Sequence, residues 1–262
     1  MKQVKLLLCM LLIALIAGCG TKQTTDVMEE AKKRGYLIMG LDDTFAPMGF
    51  RNDKNELVGF DIDLASEVSK RLGIKFQMQP IDWSMKESEL NNKTIDLIWN
   101  GYSITEARKE QVAFTKPYLS NRQVIVVLAD SAIQTKQDLA GKTVAVQKQS
   151  SALEAVLGDQ NFADGLQGKA PIEFDTNLEA FMDLEAKRVE AIVVDEVLAD
   201  YVIKQRNEHG YRYLAEDFGT EDYGIGVRKQ DEALLEKIDA IMDELKADGT
   251  YDQIFDRWFA RK

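Results

Sequence analysis

The sequence predicts an α/β fold with mainly parallel sheets, on three observations. Short apolar runs of strand length alternate with longer runs at helical spacing along most of the 262 residues, the pattern of strand–helix–strand units. Two breaks, at 117–121 and 218–223, divide the alternating region into a middle segment and two flanks. Two lobes joined by two crossings would follow, with a cleft and a hinge between them. No internal repeat, low-complexity tract or coiled-coil heptad interrupts the alternation.

The first eighteen residues precede the fold. Lys2 and Lys5 form a positive start, and residues 6–17 are almost wholly apolar. That run is too short for a spanning helix, which needs about 20 residues. It ends in Leu15-Ile16-Ala17-Gly18-Cys19, with small residues suited to a peptidase. Cleavage there predicts a chain beginning at Cys19, with 19–26 as a polar linker; an ordinary cleaved signal peptide is the alternative. Removing 18 of the 262 residues leaves 244 and takes Cys9 away. No disulfide is then possible, so stability rests on a large core, which this length permits.

The elements follow in order. "YLIMGL" (36–41) reads as a strand. "FDIDLASEVSKRLG" carries Ile62, Leu64, Ala65, Val68 and Leu72 at helical spacing, with Gly73 as its stop. "IKFQMQPI" is a strand, 84–92 a short helix, and "TIDLIW" a strand. "QVIVVL" and "KTVAVQ" are strands, "NLEAFMDLEAKR" a helix, "VEAIVV" a strand and "EVLADYVIKQRN" a helix. "YGIGVR" is a strand, and the last 30 residues hold two amphipathic helices split near Gly249.

Charge narrows the partners. Without Lys2 and Lys5 the chain carries 31 basic and 44 acidic residues, a formal charge of −13. Nucleic acid is excluded as a partner, because phosphate binding needs a basic stripe. The body would also be repelled by anionic lipid, so a tether rather than the surface would hold it at a membrane. The one histidine, His209, stands in the polar turn "RNEHGYRY" and reads as a solvated loop residue. A histidine metal site or a Ser-His-Asp triad would have to use it, and neither metal nor cofactor is expected. Gly224-Ile-Gly226 lacks the third glycine of a dinucleotide fingerprint.

Ligands of open parallel sheets bind beyond the carboxyl ends of strands. Those ends here carry Asp42-Asp43-Thr44-Phe45, Asn100-Gly101-Tyr102-Ser103 followed by Arg108, Lys148-Gln149-Ser150-Ser151, and Asp195. Ser103 with Glu106 reads as a capping box, and Thr105 is a second candidate N-cap. Arg108 then sits in or near a first helical turn, where the dipole disfavours a cation by roughly 0.3–1 kcal/mol. Either it is a solvated surface charge, or its fork of donors faces a carboxylate. Asp195 is either an N-cap for the helix it opens or an acceptor for an ammonium group. Ser150 and Ser151 are natural N-caps whose neighbouring N–H groups would make an anion site. Phe45 and Trp83 read as core or as ligand platforms. One cation and one anion on different strand ends suit a zwitterion such as a free amino acid, whose charges are costly to bury unpaired.

Several motifs, taken in order, resemble the extracellular solute-binding proteins of family 3, the polar amino acid receptors of ABC importers. They are "GFDIDLA" (59–65), "NGYSITEARKEQVAFTKPYL" (100–119), "LAGKTVAVQKQSS" (139–151), "VEAIVVDEVLADY" (189–201), "YGIGVRK" (223–229) and "DGTYDQIFDRWF" (248–259). The start resembles the bacterial lipobox, which implies a lipidated Cys19. The resemblance runs from about residue 27 to the end and implies a two-lobed periplasmic-binding-protein-like fold of type II. Lobe 1 would be 27–117 plus 223–262, lobe 2 would be 122–218, and the hinge 118–121 with 219–222. It implies that Arg108 pairs with the substrate carboxylate, that Ser103 and the backbone at Gly101, with Tyr102 beside them, meet main-chain groups of the amino acid, and that Ser150 and Ser151 close on the carboxylate. Asp195 would hold the ammonium, Phe45 and Trp83 would flank the ligand, and Asp42 would face its side chain. Gln149 stands where the family often has glycine. The implied protein is a monomer, lipid-anchored outside the cell membrane, that passes glutamine, histidine, a basic amino acid or cystine to an ABC permease. The alternative is an enzyme on the same fold, like the cyclohexadienyl dehydratases, with Glu87 or Asp43 as general acid.

Overall fold

The computed structural model describes residues 27–206 and 209–259. The leader, Cys19 and the linker to residue 26 lie outside the described residues. Helix α1 (Val27–Arg34) leads into β1 (Tyr36–Leu41), then the short strands β2 (Thr44–Phe45), β3 (Gly49–Arg51) and β4 (Leu57–Val58). Helix α2 (Phe60–Leu72), β5 (Lys75–Pro80), a 3-10 turn at Trp83–Met85, α3 (Lys86–Asn91), β6 (Leu97–Ile98), α4 (Glu106–Lys109) and β7 (Ala113–Phe114) follow. The middle segment holds β8 (Leu119–Leu128), β9 (Val144–Gln147), α5 (Ser151–Gly158), α6 (Gln160–Gly165), β10 (Ile172–Phe174), α7 (Asn177–Glu185), β11 (Ala191–Asp195), α8 (Glu196–Arg206) and β12 (Tyr211–Tyr223). The chain ends with β13 (Gly226–Val227), α9 (Glu232–Ala247) and α10 (Thr250–Phe259).

Two five-stranded sheets form the two lobes. Lobe 1 has the order β5-β1-β6-β13-β7, and lobe 2 the order β10-β9-β11-β8-β12. In each, three strands are parallel and two join antiparallel. β13, which follows the whole middle segment, returns to pair with β6 and β7. A third, antiparallel sheet, β2-β3-β4, carries the loop after β1.

Burial explains why these elements hold. Leu37, Met39 and Leu41 of β1 are fully buried, as are Phe60, Leu64 and Val68 of α2. α2 places Asp61 and Asp63 in its first turn and Lys70 and Arg71 in its last, which suits the dipole, and Gly73 ends it at φ 72°. The C-terminal helices close lobe 1 from outside. Phe60 meets Tyr251, Phe255 and Phe259 edge-on at 5.8, 6.2 and 5.0 Å. Lobe 2 packs Ile125, Val127, Val144, Val146 and Val193 against Leu153 and Val156 of α5.

The structure departs from the sequence reading at the crossings. The breaks at 117–121 and 218–223 are largely strand: β8 and β12 pair from Leu119 opposite Tyr223 to Arg122 opposite Thr220. Ser120, Asn121, Glu221 and Asp222 read as loop because polar residues interrupt the apolar pattern. Two strands that cross between lobes have no core face to make that pattern. Conversely, "TIDLIW" and "YGIGVR" pair only over Leu97–Ile98 and Gly226–Val227.

Candidate functional site

Arg108 is placed by a one-turn helix. Thr105, not Ser103, is its N-cap, and Thr105 Oγ1 accepts the Arg108 N–H at 3.3 Å. The Ser103–Glu106 capping box does not form, because the Ser103 hydroxyl turns toward the cleft. Arg108 is 3% exposed. Its Nη1 donates to the Ser103 carbonyl at 3.0 Å, its Nη2 to the Gln149 carbonyl of lobe 2 at 3.2 Å. The guanidinium lies 4.8 Å from the Tyr102 ring centre, a cation–π contact. Buried Nε makes no hydrogen bond among the described residues, although Glu154 Oε1 stands 3.2 Å away. The Nε–Glu154 contact is an ion pair without hydrogen-bond alignment, so Nε keeps a donor for an external carboxylate.

The walls around it come from lobe 1. Gly101 has φ 58°, and a side chain there would meet Phe45 Cε1 at 2.7 Å. Its N–H donates to Asp61 Oδ2 at 2.8 Å, and the Tyr118 hydroxyl reaches the same oxygen at 2.9 Å. The Gly101 amide is therefore committed to the scaffold. Burial pushes Asp61 up to about 7. Trp83 packs edge-on against Tyr102 at 5.8 Å. Tyr102 itself is fully buried and donates to Glu87 at 2.8 Å, so it supports Arg108 and Trp83 from behind instead of lining the cavity.

Asp195 ends β11 and is 4% exposed. Its Oδ1 accepts from Asn121 Nδ2 at 2.8 Å, Gln123 Nε2 at 3.0 Å and the Tyr223 hydroxyl at 2.6 Å. Burial and the neighbouring Glu221 carboxylate hold Asp195 well above the usual carboxylate range. The acid is thus gathered by side chains of the two crossing strands.

Lobe 2 supplies a tight loop after β9. Gln149 takes φ 52°, the left-handed conformation that glycine would adopt without strain. The departure from the family's glycine thus leaves the loop's turn intact. The Gln149 carbonyl accepts both Arg108 Nη2 and, at 2.8 Å, Lys86 Nζ. Burial, then the Arg108 charge, pushes Lys86 down to about 8. Ser150 caps α5 by accepting the Leu153 N–H, while Ser151 Oγ lies 2.9 Å from Ser103 Oγ. At the far end Asp42 Oδ1 accepts from Thr44, and Asp42 Oδ2 accepts Gln147 Nε2 at 2.8 Å across the cleft. Burial raises Asp42.

One small cavity of about 10 Å³ collects these groups: Phe45, Trp83, Gly101, Ser103, Arg108, Ser150, Ser151 and Asp195, with Asn100 and Gln147 in addition. Asp42 touches that lining through Gln147. Sequence reasoning missed the role of Gln147, which ends a strand at the cleft and was legible only as a strand residue. It also missed Asn121 and Glu221, which lie in strands read as breaks, Gln123, which opens a run read only as a strand, and Lys86. Glu87 and Asp43 do not line the cavity; Glu87 accepts the Tyr102 hydroxyl and Asp43 pairs with Arg51 at 2.6 Å. His209 lies in an exposed turn. No helix among the described residues is long and apolar enough to cross a membrane.

Comparison with known proteins places this geometry. Residues 37–261 match the family described as bacterial extracellular solute-binding proteins, family 3. The chain is 30% identical to the L-cystine-binding protein of Escherichia coli K12 over 94% of this chain and 92% of that one. It superposes with a TM-score of 0.88 on an ABC uptake transporter substrate-binding protein from Streptococcus pneumoniae with bound histidine, at 36% identity over 91% of this chain and 98% of that one. An ancestral arginine-binding protein bound to glutamine gives a TM-score of 0.80 at 41% identity, over 87% of this chain and 99% of the other. These relatives are solute-binding proteins, and they hold different polar amino acids.

Proposed function

The chain belongs to the bacterial extracellular solute-binding proteins, family 3, and from that premise we propose that it captures one free polar L-amino acid between its lobes and delivers it to the permease of an ABC importer. The observation that carries the proposal is a buried cation and a buried acid, Arg108 and Asp195, lining one cavity from different lobes. Arg108 binds the α-carboxylate with its Nε and the nearby serine hydroxyls. Asp195 binds the α-ammonium. Phe45 and Trp83 flank the aliphatic part, and Asp42 with Gln147 addresses the side-chain tip. An acid at that tip favours ligands with N–H donors there, so glutamine, histidine and basic amino acids fit, as does cystine with its second ammonium.

Capture works by closure. The ligand touches both lobes only when they are together, so its differential affinity shifts the population toward the closed form. The two crossings, near 118–121 and 219–222, act as the hinge. Cys19 carries the lipid that tethers the protein outside the membrane. A thermal-shift screen against the free amino acids tests the reading, because a ligand bound only by the folded state raises the melting temperature. One or a few polar amino acids should raise it; no response to any would overturn the reading. Separately, Cys19→Ala should release protein from the membrane fraction or leave an uncleaved precursor; normal maturation would remove the tether.

A further inference from the structure

The reading above uses one acid for the amino group, yet a second stands against it. Glu221 projects from β12, and its Oε1 accepts from Ser103 Oγ of lobe 1 at 2.7 Å. The same oxygen accepts from Asn121 Nδ2 and Gln123 Nε2, both at 2.9 Å, with Ser151 Oγ at 3.3 Å. Asn121 and Gln123 reach Asp195 with the same two nitrogens. The two acids therefore share their donors.

Counting hydrogens shows what the cluster lacks. Gln123 Nε2 faces three acceptors, Asp195, Glu221 and Ser151 Oγ, but an amide nitrogen carries two hydrogens. Ser103 has one hydrogen, and its shortest contact is to Glu221. Given away there, it leaves the Ser103 oxygen as an acceptor. The cluster thus holds more acceptor positions than hydrogens, and an ammonium would bring three. Asp195 already keeps its proton more tightly than a free carboxylate.

We propose that Glu221 is a positioning residue of the amino-group subsite. It accepts the hydrogen bond of the Ser103 hydroxyl, so that the Ser103 oxygen faces the ligand ammonium as an acceptor, and it adds its carboxylate to that of Asp195. The inference rests on the amino acid reading and deepens it: the site selects a cationic amino group and discriminates against des-amino ligands. An ammonium bound beside Asp195 opposes the burial that makes it hold its proton more tightly. The titratable and charged groups facing that event are Asp195, Glu221 and Tyr223, with Arg108 from lobe 1.

Isothermal titration with arginine, histidine, glutamine and L-cystine, and with the des-amino counterpart of whichever binds, tests this. Each titration is run near pH 7 in two buffers of different ionisation enthalpy, so that proton release is read from the difference in heat. Glu221→Gln, which keeps the shape and an acceptor oxygen, should weaken the amino acid about tenfold or more. It should leave the des-amino ligand within about twofold and reduce proton release. Ser103→Ala should cost less in the Glu221→Gln background than alone, since the two act as a unit. If Glu221→Gln folds poorly, Glu221→Asp, which keeps the charge, should retain the preference for the amino acid over its des-amino counterpart. Unchanged affinity, or equal losses for both ligands, would overturn the role of Glu221 alone. A wild type that binds none of the four would remove the amino acid reading and this role with it.

Discussion

The two charged ends of the cavity are built differently. Arg108 is held by what is near it in sequence: the carbonyl of Ser103, the ring of Tyr102 and the cap at Thr105 all fall within six residues. From farther away come the Gln149 carbonyl and the Glu154 carboxylate. Asp195 is held by what is distant: Asn121, Gln123 and Tyr223 lie 74, 72 and 28 residues from it. The cation end is a local motif carried by one lobe. The acid end is assembled by the crossings, so its integrity depends on both strands being in register. A site can thus have one pole that is written in a short stretch and another that exists only in the fold.

Substitutions can sharpen or break that contrast. Arg108→Ala should have the largest effect. It removes a buried charge partner, and losses of about 3–5 kcal/mol are typical when one member of such a pair is deleted. Binding should fall more than about a hundredfold in calorimetry, with the circular dichroism spectrum unchanged; undiminished affinity would end the carboxylate role. Asp195→Asn comes next, because it keeps the hydrogen-bonded shape and loses the charge. Amino acids should weaken by about 10- to 100-fold, as expected for a charged hydrogen bond, and des-amino analogues much less. Equal losses would mean that Asp195 is only a structural acceptor.

Asp61 probes the scaffold beneath the cation end. Its folded pKa is raised from 3.8 to about 7, so the folded state holds the proton more tightly than the unfolded chain. The stability this gives is present at low pH and is lost as pH rises through that window. Asp61→Asn should flatten the slope, by at most on the order of 4 kcal/mol across the window. Denaturant midpoints measured between about pH 4 and pH 7 would show it; parallel curves for the two proteins would contradict the buried acid. Tyr102→Phe should be the smallest effect. It deletes one hydrogen bond to Glu87 but keeps the ring under Arg108, so affinity should change by less than about fivefold. A large loss would mean that the hydroxyl itself reaches the ligand.

The same contrast explains what the sequence could tell. The stretch from Asn100 to Arg108 was readable because cap, turn and cation are adjacent, although the cap stood open between Ser103 and Thr105 and Tyr102, read as a ligand contact, packs behind the cavity. The alternation of strands and helices was readable because both lobes have ordinary buried faces. Asn121 and Glu221 were not readable, because polar side chains turned toward the cleft break the apolar alternation that marks a strand. Gln123 opens the run QVIVVL, which reads as strand, and nothing in that run marks it as site. Gln147 was hidden in the same way: it closes the apolar run Val144, Ala145, Val146 and shares its burial, so it looked like sheet and not like site. Glu221 lies 26 residues beyond Asp195 in sequence, and only the pairing of β8 with β12 brings it near.

The pairing of the crossings has a mechanical consequence. Two independent linkers would leave the lobes free to swing, slide and twist about each other. Here Leu119, Ser120, Asn121 and Arg122 are laddered to Tyr223, Asp222, Glu221 and Thr220. Such a ribbon bends far more easily across its face than within its plane, because in-plane bending would break the ladder. On the proposed closure it would restrict the lobes to nearly one coordinate, an opening angle. Asn121 and Glu221 sit on the ribbon itself, so the atoms that gather the amino end lie close to the axis of that motion. On the proposed opening they would be displaced least as the angle changes, so the acid pole would stay assembled while the Gln149 carbonyl leaves Arg108 and Lys86.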